Sequence, residues 1–574
     1  MKRKRLLALM STLLIGATSA STFVGCGGAG GSKIELDPNK ANLLVATFNG
    51  GVGYQWLEDA AARFEKLYEN STHFEEGKTG VKVHVDKNKD SYRGGQLQEK
   101  TLKMDVYFTE GVEYYTFINK DKVADLTDIV SGENSSLEAY GESGTIADKL
   151  DPNFAGYLTS QTGGKYYMLP FYDGFYGFVY DIELFENEGF FMDNEGDFVP
   201  LLIDKETMTE EEIEAAREEY NANKSNGPDG KHGTYDDGLP ATYDEMIALC
   251  DRIVEMSCIP FCYSGQYTDY VSKAFRSFVA DYEGYDGMSL NYTLNGTANL
   301  VTSIEDDGSL TGNVTTQEVA INEGNAYELQ KQAGKYYALK MQEELFGSTK
   351  YIGTEQGNVW NSYSFTVAQS QFIKSKYTST PYAMLADGVW WENEATFAFE
   401  EFEATTGESK EDRRFGWLPI PKAPGKEAGD QTMFSANSSF CFINKKCDNM
   451  ELAKEFMKFL HTDAEMSKFS AKTSISRALN YKVKDEDKAT ATNFGKNIIE
   501  MRDASTVVYP YSALKVVIDN PTFFDETRWF LWGTVNGRVQ KDPFPIFQKG
   551  KADAEDYFNG LYTFEKSEWK SLKK

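Results

Sequence analysis

An alternation of strand-like and helix-like segments constrains the fold of this 574-residue chain more than any other feature. Residues 43–48 form an apolar run typical of a buried strand, and apolar residues recur at helical spacing over 56–67. Two further strand patterns follow at 81–85 and 104–108. Strand, helix, strand order with short connections implies right-handed crossovers and a mainly parallel sheet.

The middle of the chain repeats this alternation. Thr242 and Glu245 form a capping box that opens a helix, residues 259–263 are typical of a strand, and 268–280 are typical of a helix. Further helices are predicted over 323–345 and 451–460. An acidic stretch over 193–238 is interpreted as an insert, and a second capping box in it, Thr209 with Glu212, opens another helix.

The first residues are typical of an export signal. Four basic residues at 2–5 precede an apolar run over 6–15, which is too short to span a bilayer permanently. Residues 23–26 resemble a bacterial lipobox, which predicts lipidation of Cys26 and a position on the extracellular face of the cell membrane. A glycine-rich tether over 26–40 fits an anchored protein. The alternative is an ordinary secretory signal cleaved near Ala20.

Charge and cysteine content exclude several classes. The formal net charge is −29, which repels nucleic acid and anionic lipid headgroups, so contact with the membrane is expected through the anchor only. The length exceeds what one hydrophobic core serves, so at least two lobes are expected. Apart from Cys26 there are five cysteines, without a CxxC pair, and four histidines, so buried free thiols are favoured over disulfides or a zinc site.

Four stretches carry a resemblance to a known family: residues 48–65, 164–181, 383–391 and 438–478. In this order, behind a lipobox, they resemble the extracellular solute-binding proteins of carbohydrate ABC importers, the group that includes the maltodextrin-binding protein. The resemblance covers most of the chain except the insert and the region after about 478. It implies a periplasmic-binding-protein-like fold, with two α/β lobes of mainly parallel sheets joined by about three crossings.

The implied domain organisation places those crossings near Pro170, 419–421 and 475–478. The predicted segments are a signal peptide at 1–25, a tether at 26–40, lobe 1 at 41–169 and 421–476, lobe 2 at 170–420, and a C-terminal helical region of lobe 2 at 477–574. Closure of the lobes over a ligand is the implied mechanism.

The chemistry of a sugar suggests which residues line the cleft. A pyranose offers an apolar face to an aromatic ring and hydroxyls to carboxylates and amides. Asp173 aligns with an acidic family position, with a helix-cap or hinge carboxylate as the alternative. Trp390 is the candidate platform; Trp391 ranks lower because successive residues of an extended chain point to opposite sides. The predicted ligand-binding residues are Trp390, Asp173, Trp391, Tyr172, Tyr54, Glu110 and Asn49.

A separate acidic, glycine-rich segment lies at 226–238. Asp229, Asp236 and Asp237 resemble the ligands of short calcium-binding loops in extracellular proteins, because calcium prefers several oxygens on a flexible loop. The alternative is a pair of glycine- and aspartate-rich turns. No cofactor is required by the predicted function, and structural calcium is the one metal ion that the sequence suggests.

The sequence therefore predicts a monomeric, lipid-anchored, non-enzymatic binding component that delivers a sugar or oligosaccharide to ABC importer permease subunits. A peptide or another small metabolite is the first alternative ligand. A lipid-anchored glycoside hydrolase is a second alternative, with Asp173 and Glu392 or Glu394 as its carboxylate pair. A surface adhesin is the third.

Overall fold

The computed structural model describes residues 34–48, 50–87, 102–203, 207–305, 309–310, 312–352, 363–435 and 439–572. The chain divides into two compact units, Met1–Pro38 and Asn39–Lys574. Only 34–38 of the first unit are described, and the account below concerns the second. The predicted signal, Cys26 and Asn49 lie outside the described residues.

Fifteen strands lie in the described part of the chain. They are β1 (Ala41–Ala46), β2 (Val81–Asp86), β3 (Val106–Glu110), β4 (Leu169–Pro170), β5 (Tyr176–Asp181), β6 (Ile259–Cys262), β7 (Gly296–Glu305), β8 (Asn313–Ile321), β9 (Tyr382–Gly388), β10 (Phe415–Trp417), β11 (Thr432–Phe434), β12 (Ser439–Ile443), β13 (Thr506–Val508), β14 (Gly533–Val535) and β15 (Arg538–Gln540).

Helices surround these strands. The α-helices are α1 (Gln55–Leu67), α2 (Tyr114–Asn119), α3 (Thr127–Val130), α4 (Pro152–Thr159), α5 (Ile182–Glu188), α6 (Glu210–Ala222), α7 (Tyr243–Glu255), α8 (Asp269–Thr293), α9 (Ala333–Phe346), α10 (Phe365–Lys374), α11 (Trp391–Glu394), α12 (Thr396–Thr406), α13 (Met450–Leu460), α14 (Asp463–Thr473), α15 (Asp485–Lys488), α16 (Asn493–Asp503), α17 (Lys515–Asp519), α18 (Glu526–Leu531), α19 (Phe544–Phe547) and α20 (Ala554–Glu568). Short 3-10 helices lie at Glu138–Tyr140, Ala147–Lys149, Ala326–Lys331, Ser375–Tyr377 and Trp569–Ser571.

Two mixed sheets organise the second unit. The first has five strands in the order β2-β1-β3-β12-β4, and the second has four in the order β10-β5-β9-β6. Strand β1 is parallel to β2 and β3, whereas β12 is antiparallel to β3 and β4. In the second sheet β6 and β9 are parallel, and β5 is antiparallel to β9 and β10. The predicted two-sheet α/β fold is confirmed.

The prediction of mainly parallel sheets needs correction, because antiparallel pairs are as prominent as parallel ones. The antiparallel strands β4, β5, β10 and β12 all adjoin a passage from one sheet to the other. A strand that arrives from the other sheet is not linked to its neighbour by the right-handed strand–helix–strand unit that makes neighbouring strands parallel.

The chain passes between the sheets three times. It leaves β4 and enters β5 through residues 171–175, and it returns from β10 to β12 by way of β11. After α14 it passes through 474–478 to α16, where Asn497 accepts a hydrogen bond from the Trp417 N–H at 2.7 Å. These passages set the two sheets on either side of a cleft.

Most of the predicted elements form close to the predicted bounds, but three regions differ. The helix expected over 268–280 continues to Thr293 with a kink at Gly284, and the helix expected over 323–345 is a 3-10 helix followed by a separate α-helix. The long hairpin β7–β8 was not predicted. Its outward side chains are polar, so it lacks the apolar alternation that indicates a strand.

The acidic insert carries the predicted helix, α6, opened by Thr209 and Glu212 in a complete capping box. Thr242 caps α7, but Glu245 accepts from the N–H of Ala241 instead of from Thr242 itself. The five described cysteines are free thiols. Among the helices of the described ranges, none has the length and apolar character needed to cross a bilayer.

Candidate functional site

The cleft is formed by the ends of strands from both sheets. From the first sheet come the turn after β1 and the end of β3, and from the second come the end of β9 and the start of β5. Open α/β sheets bind ligands in a crevice at the carboxyl ends of their strands. The predicted residues Glu110, Tyr172 and Trp390 lie at this cleft.

Trp390 follows β9 directly and lies against the start of β5. Its ring lies under Gly388, where a Cβ atom would come within 2.3 Å of the indole, so the close approach depends on glycine at that position. Tyr176 meets the indole edge to face at 4.9 Å between ring centroids, and Tyr270 does so at 6.4 Å. Only 5 % of Trp390 is exposed. The three rings form one aromatic wall on the second-sheet side of the cleft.

Trp391, in contrast, points into the core of the second lobe. It is fully buried and packs against aromatic side chains of four other elements. Its ring partners are Phe372, Phe399, Phe415 and Phe494. The structure therefore assigns the two neighbouring tryptophans to opposite sides of the segment, and Trp391 does not lie at the cleft.

Glu110 and Tyr172 meet on the first-sheet side. The Tyr172 hydroxyl donates a hydrogen bond to the Glu110 carboxylate, and Gly51, at φ +52°, lies directly beside that carboxylate. A Cβ at position 51 would come within 3.0 Å of Glu110 Oε1, so a side chain would crowd the turn. Tyr54, half-buried at the start of α1, has Lys87 Nζ 3.9 Å from its ring centroid.

Asp173 is placed in the hinge and not in the cleft. It is completely buried, and its carboxylate accepts from Arg502 Nε at 2.8 Å and from the Tyr509 hydroxyl at 2.9 Å. Its N–H donates to the Ser476 carbonyl at 2.8 Å, which ties the first passage to the third. Ser435, in the second passage, is also a hydrogen-bond partner of the carboxylate. These contacts favour the alternative of a hinge carboxylate over contact with a ligand.

Two buried carboxyl groups lie close together at the end of β9 and in α11: Glu394, which the sequence suggested only for a hydrolase, and Asp387, which it did not suggest. Asp387, 1 % exposed, and Glu394 both accept from Gln369 Nε2, at 3.0 and 3.3 Å. Asp387 also accepts from the Gly388 N–H at 2.7 Å. Burial raises the pKa of Asp387 to about 7, and burial followed by repulsion from Asp387 raises the pKa of Glu394 to about 8.

Glu394 also connects the two sides of the cleft. It accepts a hydrogen bond from the N–H of Gly51 and is repelled by Glu110. The short helix α11 of the second lobe thus touches the turn after β1 of the first. Because raised pKa values keep a proton on this pair near neutral pH, one carboxyl group can donate a hydrogen bond while the other accepts.

A cavity of about 500 Å³ lies between Phe440 of the first sheet and the C-terminal segment around α18. This volume is within the range of small-molecule sites. Its walls combine aromatic rings with carboxylates. The aromatic residues are Tyr115, Tyr157, Tyr511, Phe524 and Trp532, and the acidic residues are Glu113, Asp519, Asp525 and Glu526. Arg528, also in the lining, forms an ion pair with Glu565 at 3.0 Å.

A chain of contacts connects the cavity to the aromatic wall. The Arg276 guanidinium lies 5.3 Å from the centroid of Tyr176, which itself contacts Trp390. On its other side, Arg276 Nη1 lies 3.8 Å from Glu526 Oε1, at the cavity wall. Side-chain contacts through Tyr176 and Arg276 therefore link Trp390 to Glu526 at the cavity wall.

The sequence contains little that marks these site residues as functional. Asp387 and Tyr176 fall inside the stretches that carried the family resemblance, but nothing in their local pattern distinguished them. Gln369 lies on an ordinary amphipathic helix, and Glu526 lies beyond residue 478, where the resemblance ends. Only the tertiary fold brings these four together.

The carboxylates of the predicted calcium loop turn inward toward backbone N–H groups. Asp236 accepts from the Asp229 N–H at 3.0 Å, Asp229 accepts from Lys231 at 2.6 Å, and Asp237 accepts from Gly233 at 2.7 Å. Burial raises the pKa of Asp236 to about 6. Within the described ranges no group of three or more His, Cys, Asp or Glu side chains is arranged to hold a metal ion. This geometry favours the alternative of paired turns.

Comparison with known proteins found similar solved structures but no matching protein family. No protein-family model matches the sequence. No curated protein matches it either. Among solved structures, the apo form of RafE from Streptococcus pneumoniae is 16% identical, with 92% of this chain and 98% of that chain covered and a TM-score of 0.48.

Two further solved structures are similar in extent. The cyclic alpha-maltosyl-1,6-maltose binding protein from Arthrobacter globiformis is 10% identical, covering 93% of this chain and 100% of that chain, with a TM-score of 0.48. The GacH receptor of Streptomyces glaucescens is 12% identical, covering 94% and 100%, with a TM-score of 0.46. At these values the likenesses carry no argument about the ligand, and the site is interpreted from its own geometry.

Proposed function

We propose that this protein is a non-enzymatic binding protein that encloses a sugar or oligosaccharide between its two lobes. The observation that carries the proposal is the cavity of about 500 Å³ lined by aromatic rings and carboxylates, together with the aromatic wall of Trp390, Tyr176 and Tyr270 at the strand ends. Rings cover the apolar faces of sugars, and carboxylates accept hydrogen bonds from their hydroxyls.

The positions of the carboxyl groups support binding over hydrolysis. Asp173 is held by Arg502 and Tyr509, and Glu392, 2 % exposed, accepts from Ser474 at 2.8 Å and Thr492 at 3.0 Å. A glycoside hydrolase needs two carboxyl groups that flank the scissile bond in an accessible site. Asp173 belongs to both carboxylate pairs considered for a hydrolase, with Glu392 or with Glu394, and its internal partners do not suit that role; nor do those of Glu392.

The cellular role belongs to the same proposal. The export signal, the lipobox ending at Cys26 and the resemblance of four sequence stretches to carbohydrate solute-binding proteins support a lipid anchor on the extracellular face of the membrane. They also support delivery of the ligand to the permease subunits of an ABC importer by a monomer. Neither nucleic acid nor a required cofactor is part of this proposal.

A thermal-shift screen of the purified protein tests the ligand class, because a ligand that binds only the folded state raises the melting temperature. Neutral oligosaccharides, short peptides and free amino acids form the three arms. We expect a concentration-dependent increase with at least one oligosaccharide, without release of reducing ends. An increase in the peptide arm alone would replace the sugar with a peptide, and release of reducing ends would indicate an enzyme.

A further inference from the structure

Glu394 joins the second lobe to the first across the cleft. It lies at the end of the short helix α11, and its carboxylate accepts a hydrogen bond from the N–H of Gly51, in the turn after β1. Glu110, at the end of β3, lies beside the same turn, because a Cβ at position 51 would come within 3.0 Å of its Oε1. The contact therefore brings a carboxyl group of one lobe up to a carboxyl group of the other.

A third carboxyl group shares a donor with Glu394. Gln369 Nε2 donates to Asp387 at 3.0 Å and to Glu394 at 3.3 Å. The other end of the same amide, Gln369 Oε1, is buried and has no hydrogen-bond partner among the described residues. One amide nitrogen thus serves two carboxyl groups. A proton on either carboxyl group adds a donor to a cluster that is short of donors.

The titratable groups that face this pair from neighbouring elements are acidic or neutral. Tyr270 of α8 faces both carboxyl groups, and Cys262 of β6 faces Asp387. Glu110 of β3 faces Glu394 from the first lobe. In the part of the chain that the structure describes, no ion pair includes Asp387 or Glu394. The pair is therefore surrounded by groups that disfavour a second negative charge.

The lysines of the surrounding elements pair with other carboxylates. These ion pairs are Lys273 with Asp269 on α8, Lys374 of α10 with Glu401, and Lys410 with Glu392 of α11. They leave the repulsion at Glu394 uncompensated. Burial, followed by repulsion from Asp387, accordingly raises the pKa of Glu394 to about 8.

We infer that closure of the two lobes takes up about one proton at the Asp387–Glu394 pair, so that ligand affinity falls as the pH rises. When the lobes are apart, Glu394 is separated from Glu110 and solvated, and it releases its proton more readily. When the lobes are together, the proton removes one of the charges that would face each other across the cleft. The state that binds the additional proton is favoured at lower pH. This inference rests on the proposed function, because it names the regulation of the same cleft.

Isothermal titration with neutral trisaccharides measures this linkage. Raffinose, maltotriose and cellotriose are the probes, because neutral sugars carry no group that titrates between pH 6.5 and pH 8.5. We expect the Kd of the best-binding probe to rise about tenfold over this range. Titrations at pH 7.5 in two buffers of different ionisation enthalpy should show proton uptake on binding. A Kd that is independent of pH, without proton uptake, would overturn the inference.

A neutral variant assigns the effect to the pair. Glu394→Gln keeps an oxygen that can accept from Gly51 but cannot take up a proton in this range. It should bind the probe equally well at both pH values and, at pH 8.5, about tenfold more tightly than the unaltered protein. Glu400→Gln, an exposed position on α12 of the same lobe, is the matched control and should keep the pH dependence. The same pH dependence in Glu394→Gln as in the unaltered protein would reject the assignment.

Lobe closure in the free protein gives a second measurement that needs no sugar. Small-angle X-ray scattering should show a larger radius of gyration at pH 8.5 than at pH 6.5, and Glu394→Gln should lose this difference. If a sugar binds with a pH-independent Kd, the proton linkage is wrong and the proposed function stands. If none of the three sugars binds but the radius changes as expected, the proposed ligand is wrong and the linkage stands. If no sugar binds and the radius is constant, both are wrong.

Discussion

Two groups of buried carboxylates, one in the hinge and one in the cleft, are built in opposite ways. In the hinge, Asp173 is fully buried and its charge is neutralised by Arg502, with Tyr509 and Ser435 as further donors. In the cleft, Asp387 and Glu394 share the amide of Gln369, a neutral donor. Both sites exclude water, but only the hinge supplies a positive charge from within the protein.

This difference distinguishes a buried carboxylate that stabilises the fold from buried carboxyl groups that can take part in binding. A buried carboxylate with a cation and hydrogen bonds around it is stable in one arrangement, so Asp173 can hold the three passages together. A buried pair with only an amide between its members depends on a bound proton or on a ligand for its stability. The cleft pair therefore depends on a proton or a ligand, whereas the charge of Asp173 is balanced by Arg502 within the protein.

The two tryptophans give the prediction with the largest expected effect, because Trp391 is internal and Trp390 lies at the cleft. Trp391→Ala should lower the free energy of unfolding by about 3 to 5 kcal/mol, because it leaves a cavity among four phenylalanine rings. Trp390→Ala should cost less stability and should weaken sugar binding. Chemical denaturation and sugar titration of both variants check this, and equal effects of the two substitutions on binding would contradict it.

The hinge gives the second prediction. Asp173→Asn should lower the free energy of unfolding by about 3 kcal/mol, because the Arg502 charge loses its buried partner. Asp128→Asn is the matched control, since Asp128 pairs with Lys454 at 2.7 Å but is partly exposed, and its loss should cost at most about 1 kcal/mol. Urea denaturation measures both. Similar losses of stability in the two variants would show that the buried Asp173–Arg502 pair stabilises the protein no more than a partly exposed pair does.

The cleft pair gives a pH-dependent effect. The pKa values of Asp387 and Glu394, about 7 and about 8, lie above those of the same groups in the unfolded chain. The folded protein therefore retains protons that the unfolded chain has already released at pH 5, and its stability falls as the pH rises toward 8. We expect the free energy of unfolding to be lower at pH 8 than at pH 5.

Glu394→Gln should remove much of that pH dependence, because Asp387 then faces a neutral neighbour and its carboxyl group titrates alone. Asp59→Asn is the control, an exposed acid 3.7 Å from Lys472. Urea denaturation at four pH values from 5 to 8 compares the three proteins. A pH dependence in Glu394→Gln as steep as in the unaltered protein would show that the pair is not responsible.

The smallest expected effect is at the acidic loop over 226–238. Because the carboxylates of Asp229, Asp236 and Asp237 each accept from a backbone N–H, added calcium should move the melting temperature by less than about 1 °C. Thermal unfolding with calcium and with a chelator measures this. A clear increase with calcium that is lost in Asp236→Asn would instead support the calcium site predicted from the sequence.

The sequence predicted the fold better than the site, for a physical reason. Helical and strand periodicity is local, so α1, β2 and α7 were predicted within one or two residues. The direction of a side chain depends on its tertiary neighbours. The pattern around Asp173 could not show that Arg502, more than 300 residues away, would neutralise it, and Gln369 and Glu526 had no local feature to mark them.

A crystal structure of the protein with its best-binding neutral trisaccharide tests the central claim most directly. The account predicts the sugar between the two sheets, with one ring within about 4 Å of the aromatic wall at Trp390 or of the cavity rings, and with a hydroxyl bound to Glu526. Asp173 should keep its bonds to Arg502 and Tyr509 in that complex. A sugar bound outside the cleft, or one bound by Asp173 in place of Arg502, would contradict the account.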